Sequence, residues 1–185
     1  MKKLFLYISI FILLIIANTD TYARESTYNI GPGDVLEISV WKDESLSREV
    51  VVPPDGFLSF PLIGSIDVMN STIPDLRKII KKKLSEYVPD ATLTVLLKKN
   101  ESLKAYVIGK VNSPGEFFIN MDTSVMQILS KAEGLNAFAS GGKILILRQK
   151  DNKTIKIPFN YDQVEKGKKL EQNIVLKRGD VVVVP

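Results

Sequence analysis

The segment from Val50 to Leu97 limits what this chain can fold into more than any other. Three short apolar runs, Val50–Val52, Phe57–Phe60 and Ser65–Met69, are cut apart by Pro53-Pro54-Asp55-Gly56 and by Pro61-Leu62-Ile63-Gly64. Runs this short between turn formers read as strands, and Asp55-Gly56 supplies hairpin turn chemistry. A helix follows. Thr72 is placed to cap it, Pro74 lies in its first turn, and Asp75 completes the capping pattern. Ile73, Leu76, Ile80, Leu84 and Tyr87 recur at steps of three and four as one apolar stripe. Pro89 is expected to stop the helix, and Leu93, Val95 and Leu97 alternate as a closing strand.

Upstream, Gly31-Pro32-Gly33-Asp34 reads as a type II turn, with Pro32 fixing φ and Gly33 tolerating the positive φ that follows. Leu36, Ile38 and Val40 then alternate with Glu37, Ser39 and Trp41 as a half-buried strand. Downstream, the polar stretch Lys98 to Ser102 marks a boundary between two units. The second unit opens with a hairpin, Tyr106 to Val111 and Glu116 to Ile119, turned by Pro114-Gly115 as a second type II turn. Thr123 is expected to cap a helix that buries Val125, Ile128, Leu129 and Ala132, and Gly134 to end it in the left-handed region. Ile144–Leu147 and Ile155–Phe159 form a second hairpin across Asp151-Asn152. Leu176-Lys177-Arg178-Gly179-Asp180 leads into a last strand, Val181 to Val184.

The N-terminus points to export. Lys2 and Lys3 precede an apolar run from Leu4 to Ala17, broken only by Ser9. Fourteen residues reach about 21 Å as a helix, short of a ~30 Å hydrocarbon core. A polar stretch then ends in the small residue Ala23. Charged start, short apolar core and small-residue exit are the parts of a signal peptide cleaved after Ala23; an uncleaved membrane anchor is the alternative. Removing residues 1–23 takes away Lys2, Lys3 and Asp20, so net charge falls from +4 to +3. That is mildly basic, without the concentrated charge of a nucleic-acid binder. Across the full chain 45% of residues are hydrophobic and 25% charged, so a buried core is feasible. Cysteine is absent, so packing alone must hold the fold.

Catalytic and metal-binding chemistry has few candidates. Histidine is absent as well as cysteine, which removes the usual neutral-pH base, thiolate metal sites and thiol nucleophiles. A two-carboxylate hydrolase would have to draw on Asp34, Glu37, Asp43 or Glu44. Asp34 and Glu37 are already explained by a turn and a solvent-facing strand position, so the expectation is no enzyme, no metal and no cofactor. Arg178-Gly179-Asp180 spells an adhesion tripeptide, but it echoes Pro32-Gly33-Asp34 and reads as a turn feeding a buried strand. Ser140-Gly141-Gly142-Lys143 lacks the spacing and context of a phosphate loop and reads as a flexible loop. Arg77, Lys78, Lys81 and Lys82, with Lys83, share the helix's polar face. They form a candidate basic patch for an acidic glycan or partner; a solvated helix face is the plainer reading.

Taken in order, Gly31-Pro32-Gly33-Asp34, Val52-Pro53-Pro54-Asp55-Gly56, Phe60-Pro61-Leu62-Ile63-Gly64 and the helix resemble the polysaccharide biosynthesis/export family. Gly109-Lys-Val-Asn-Ser-Pro114-Gly115, Ala132-Glu-Gly-Leu135 and Arg178-Gly179-Asp180-Val-Val-Val-Val-Pro185 resemble the β-grasp module, SLBB, that follows it in that family. The resemblance implies an α+β chain: a signal peptide over 1–23, a β-rich export domain with one crossing helix over 26–99, and an SLBB-like β-grasp domain over 104–185. It implies a non-catalytic periplasmic component of capsule or exopolysaccharide export, a homo-oligomeric ring that passes or guides the polymer. An inner-membrane polysaccharide co-polymerase is the implied partner, and nucleic acid is not one.

The chain departs from the family's pattern in three ways. It has no cysteine at the signal boundary, so it is not expected to be a lipoprotein. It has one recognisable β-grasp unit, and it stops at Pro185 without the amphipathic helix by which full-length relatives cross the outer membrane. A periplasmic ring associated with the outer membrane through a separate channel protein is therefore expected. The rival reading is a periplasmic module binding a soluble ligand on its β-grasp face, with Tyr106, Phe117, Phe118 or Tyr161 rimming a cleft.

Overall fold

The structure, a computed structural model, describes residues 28–185 apart from Asn152. The expected signal segment lies outside the described residues. The first unit contains β1 (Val35–Val40), β2 (Asp43–Val51), β3 (Phe57–Phe60), β4 (Gly64–Asp67), α1 (Ile73–Leu84) and β5 (Leu93–Lys99). β2, β1 and β5 form an antiparallel sheet in that order, and β3 and β4 form a separate hairpin.

Alternation accounts for β1, whose Leu36, Ile38 and Val40 are buried. The whole of α1 follows from one box and one stripe. The Thr72 side chain accepts from the Asp75 N–H, and the Asp75 carboxylate accepts from the Thr72 N–H. Leu76, Ile80 and Leu84 are fully buried, each burial contributing roughly 1.5–3 kcal/mol. They meet Leu36 and Ile38 of the sheet and Leu58, Phe60 and Ile66 of the hairpin in one apolar cluster.

Three expectations for this unit are corrected. Asp55-Gly56 does not make a hairpin: β2 and β3 do not pair, and β3 pairs with β4 instead. Gly56 at φ +76 donates its N–H to the Pro53 carbonyl at 3.0 Å, which turns the chain out of the sheet. β2 begins seven residues before Val50, at Asp43. It is an edge strand that buries only Leu46, so its sequence carries no alternation to read. The helix ends at Leu84, not at Pro89, and Tyr87 is 56% exposed. The Tyr87 and Val88 N–H groups both turn back to the Leu84 carbonyl, and Val88 packs on the core in the tyrosine's place.

The second unit contains β6 (Lys104–Gly109), β7 (Gly115–Phe118), α2 (Val125–Lys131), β8 (Ile144–Lys150), β9 (Lys153–Phe159), α3 (Tyr161–Glu165) and β10 (Val181–Val184). Its sheet runs β7-β6-β10-β8-β9, with β10 parallel to β6 and every other pair antiparallel. Val125, Ile128 and Leu129 of α2 pack on the sheet's inner face with Ala105, Val107, Ile146 and Val182. Two expectations change here. Ser124, not Thr123, caps α2 and forms a box with Gln127. Thr123 is buried and its hydroxyl accepts from the Asn120 N–H at 2.8 Å, so it shapes the preceding turn. Gly115 is not among the glycines with positive φ, so Pro114-Gly115 is not a type II turn; Gly115 is already paired with Val107 in the ladder. The positive φ falls on Gly109, at +97. Among the described residues no helix is long and apolar enough to cross a membrane.

Candidate functional site

The two units meet around residues that the sequence places far apart. Asp34 is fully buried, and its carboxylate is saturated with donors. Oδ2 accepts from the Gly31 N–H at 2.9 Å and from the Tyr28 hydroxyl; Oδ1 accepts from the N–H groups of Glu101 at 3.1 Å and Ser102 at 2.9 Å. The turn before β1 is thereby bound to the stretch that leads into β6. Tyr28 also reaches the Ser102 hydroxyl at 3.0 Å and the Asn100 side-chain oxygen at 3.2 Å. Its ring belongs to the second unit's core. Burial first, then the hydrogen bond to Asp34, pushes the phenol up to about 12.

Asp180 repeats the device. It too is buried, follows a glycine with φ +79, and accepts from the N–H three residues earlier, Lys177, at 2.8 Å. The matching glycine before Asp34 is Gly33, at φ +91. The Asp180 carboxylate also takes both arms of Arg148, Nε at 2.9 Å and Nη2 at 2.6 Å, and it holds that guanidinium above its ordinary pKa. Arg178-Gly179-Asp180 therefore builds a buried turn, with its aspartate turned inward.

Arg178 crosses the junction. Its Nη2 donates to the Asn29 carbonyl at 2.6 Å, and its guanidinium lies against Gly31. Around it opens a cleft of about 550 Å³, lined by Tyr28, Asn29, Asn70, Met121, Arg148, Gln149, Val175, Lys177 and Arg178 among others. This cleft was not legible in sequence, since Asn29 and Arg178 are 149 positions apart. The echo of Gly33-Asp34 in Gly179-Asp180 was the available signal, and it told of turns without showing that they meet.

The other sequence candidates are dispersed. Gly31, Pro32, Gly33 and Asp34 are at the junction, and Gly179 and Asp180 are beside it. Pro54, Asp55 and Gly56 turn the chain from β2 to β3; Pro61 and Gly64 bracket the β3–β4 turn. Gly109 ends β6, Pro114 precedes Gly115 at the start of β7, and Ala23 lies outside the described residues. Arg77, Lys78 and Lys81 are exposed on α1 and line a groove of about 330 Å³ with Thr92 and Leu93; Lys82 and Lys83 do not line it.

The carboxylates and aromatics do not converge. Glu37 pairs with Lys98 at 3.1 Å, Asp43 accepts from Ser45 and Leu46 in its own turn, and Glu44 is exposed. None of these, nor Asp34, lines the junction cleft or the helix groove. Tyr106 and Phe118 stand on the outer face of the second sheet, whereas Phe117 and Tyr161 pack against its core.

The profile of the family described as polysaccharide biosynthesis/export protein matches residues 23–98, and that of the SLBB domain matches residues 103–184. The chain is 27% identical over 188 residues to the EPS I polysaccharide export outer membrane protein EpsA of Ralstonia nicotianae, covering 88% of this chain and 48% of that protein. It is 26% identical over 184 residues to the capsule polysaccharide export outer membrane protein CtrA of Neisseria meningitidis, covering 89% and 46%. A third relative is the polysialic acid transport protein KpsD of Escherichia coli, 25% identical over 142 residues, or 76% of this chain and 25% of that one. The chain spans about half the length of the first two. The export profile, the SLBB profile directly behind it and these relatives agree: the chain carries a polysaccharide biosynthesis/export domain followed by one SLBB module.

Proposed function

We propose that the chain is a non-catalytic component of a polysaccharide export machine, working in the periplasm and associated with the outer membrane through partners. The observation that carries this reading is the order of the two profiles along a chain whose relatives are named as polysaccharide export outer membrane proteins. In this reading residues 1–23 are a signal peptide without a lipid anchor, 26–99 are the export domain with α1 crossing its sheet, and 104–185 are a β-grasp. Copies of the chain form a ring that passes or guides the polymer between an inner-membrane co-polymerase and a separate outer-membrane channel. The junction supports a ring-building role. Asp34 and Arg178 hold one unit to the other at fixed points, as a stacked protomer requires. The turn residues are scaffold, and Arg77, Lys78, Lys81 and Lys82 offer a basic surface for an acidic partner.

Deleting the gene and comparing polymer at the surface with polymer retained in the envelope tests this function. The expected result is loss at the surface with retention inside, reversed by the intact gene. Normal surface polymer in the deletion strain overturns it.

A further inference from the structure

The junction cleft carries positive charge that the fold leaves unmatched. Arg148, Lys177 and Arg178 line it, and no carboxylate does. Arg148 is neutralised by Asp180. Lys177 and Arg178 have no carboxylate within ion-pair distance among the described residues. Arg178 commits Nη2 to the Asn29 carbonyl, while its buried Nε has no acceptor among the described residues. An incompletely bonded guanidinium in a partly desolvated wall is costly on its own. It also sets up a potential that draws an anion into the cleft.

The rest of the lining specifies more than charge. Asn29, Asn70 and Gln149 are exposed there, and side-chain amides both donate and accept, as neighbouring sugar hydroxyls require. Met121 and Val175 add exposed apolar surface, 47% and 46% exposed, against which the C–H face of a sugar ring can lie. The cleft's volume of about 550 Å³ falls within the roughly 300–1,000 Å³ of small-molecule sites. With Nη2 held by the Asn29 carbonyl and Nη1 packed on Gly31, Arg178 supplies charge to the cleft, and the exposed Lys177 ammonium supplies free donors.

We propose that this cleft binds a carboxylate-bearing saccharide, with Arg178 and Lys177 facing the acid group and Asn29, Asn70 and Gln149 the hydroxyls. The saccharide part rests on the export reading above; the requirement for an anion rests on the cleft alone.

The test is calorimetric titration of the full chain in mild detergent with trigalacturonate, with neutral maltotriose and with inorganic phosphate, and amide shift mapping locates the site. Trigalacturonate is expected to bind at least about tenfold more tightly than either comparison ligand. Its affinity is expected to fall as salt rises from about 0.01 to 0.15 M, and the Met121 and Val175 amides to shift. Lys177→Gln, at an exposed position, is expected to weaken binding several-fold with the fold intact, whereas Lys168→Gln, exposed and outside the cleft lining, leaves it unchanged. Arg178→Gln is expected to abolish binding, and far-UV circular dichroism checks its fold. Equal binding of the acidic and neutral sugars, phosphate binding as tightly as the sugar acid, indifference to Lys177→Gln, or shifts confined to α1 would each overturn the proposal. Failure of the export reading shows elsewhere, as normal surface polymer after gene deletion.

Discussion

Arg178 packs so closely on Gly31 that a Cβ at position 31 would stand 2.2 Å from its Nη1. Gly31 does not have a positive φ, so its small size, not its backbone freedom, is what the junction uses.

Gly31→Ala is therefore expected to destabilise the protein by about 1–3 kcal/mol, as overpacking does, because Arg178 must leave the Asn29 carbonyl. Chemical denaturation of Gly31→Ala, Arg178→Ala and the double variant measures it. Coupling is expected, with the double variant less destabilised than the sum of the two singles. Strict additivity would show that the two residues do not interact.

Tyr28 makes the junction sensitive to alkali. Its folded pKa of about 12 lies above the ordinary tyrosine value of 10.0, so the folded state holds the proton more tightly. The stability this contributes is complete below pH 10 and is lost as pH rises from 10 toward 12. Other groups titrate there too, so the comparison is with Tyr28→Phe. The difference in stability between wild type and variant should shrink across that window; a constant difference would contradict the assignment.

Removing Asp180 should cost more than removing the whole pair it forms. Asp180→Ala leaves Arg148, whose side chain is 15% exposed, without its carboxylate. The expected loss is about 3–5 kcal/mol. Asp180→Leu combined with Arg148→Met should recover part of it, read from urea midpoints.

Gly109 is required for a different reason from Gly31. It combines φ +97 with a position where a Cβ would meet the Val184 carbonyl oxygen at 2.0 Å. Gly109→Ala is expected to strain the backbone and push β10 away from β6, at a cost of order 1–3 kcal/mol. Faster amide exchange at Val182 to Val184 would report the parting of the strands.

The cap of α1 offers a milder check. Thr72→Ala removes the acceptor for the Asp75 N–H and should cost about 1 kcal/mol, visible as a lower melting temperature with the fold unchanged.

Sequence alone identified those elements whose cause is local. The alternation in β1, the capping box at Thr72 and the stripe of Leu76, Ile80 and Leu84 all lie within a few residues of what they determine. The first seven residues of β2 show no apolar period because an edge strand that buries only Leu46 needs none. Thr123 and Ser124 are both competent to cap α2, and only burial of Thr123 decides between them. Asp55-Gly56 specifies a turn but not which strands pair afterwards. The junction was hidden for a stronger reason: Asp34 to Ser102 and Arg178 to Asn29 are contacts across 68 and 149 positions. Gly33-Asp34 and Gly179-Asp180 showed the parts, and only the fold shows that one aspartate ties the units together while the other anchors Arg148.

Tyr28 precedes the first sheet in sequence yet completes the core of the second unit. The two halves are therefore not interchangeable beads. A chimera that set residues 104–185 behind a foreign export domain would inherit an unfilled place in its core unless that domain supplied its own tyrosine. Recombination between relatives should accordingly spare the 99–104 boundary that sequence makes look so natural, and exchange the stretch from Tyr28 onward as a single cassette.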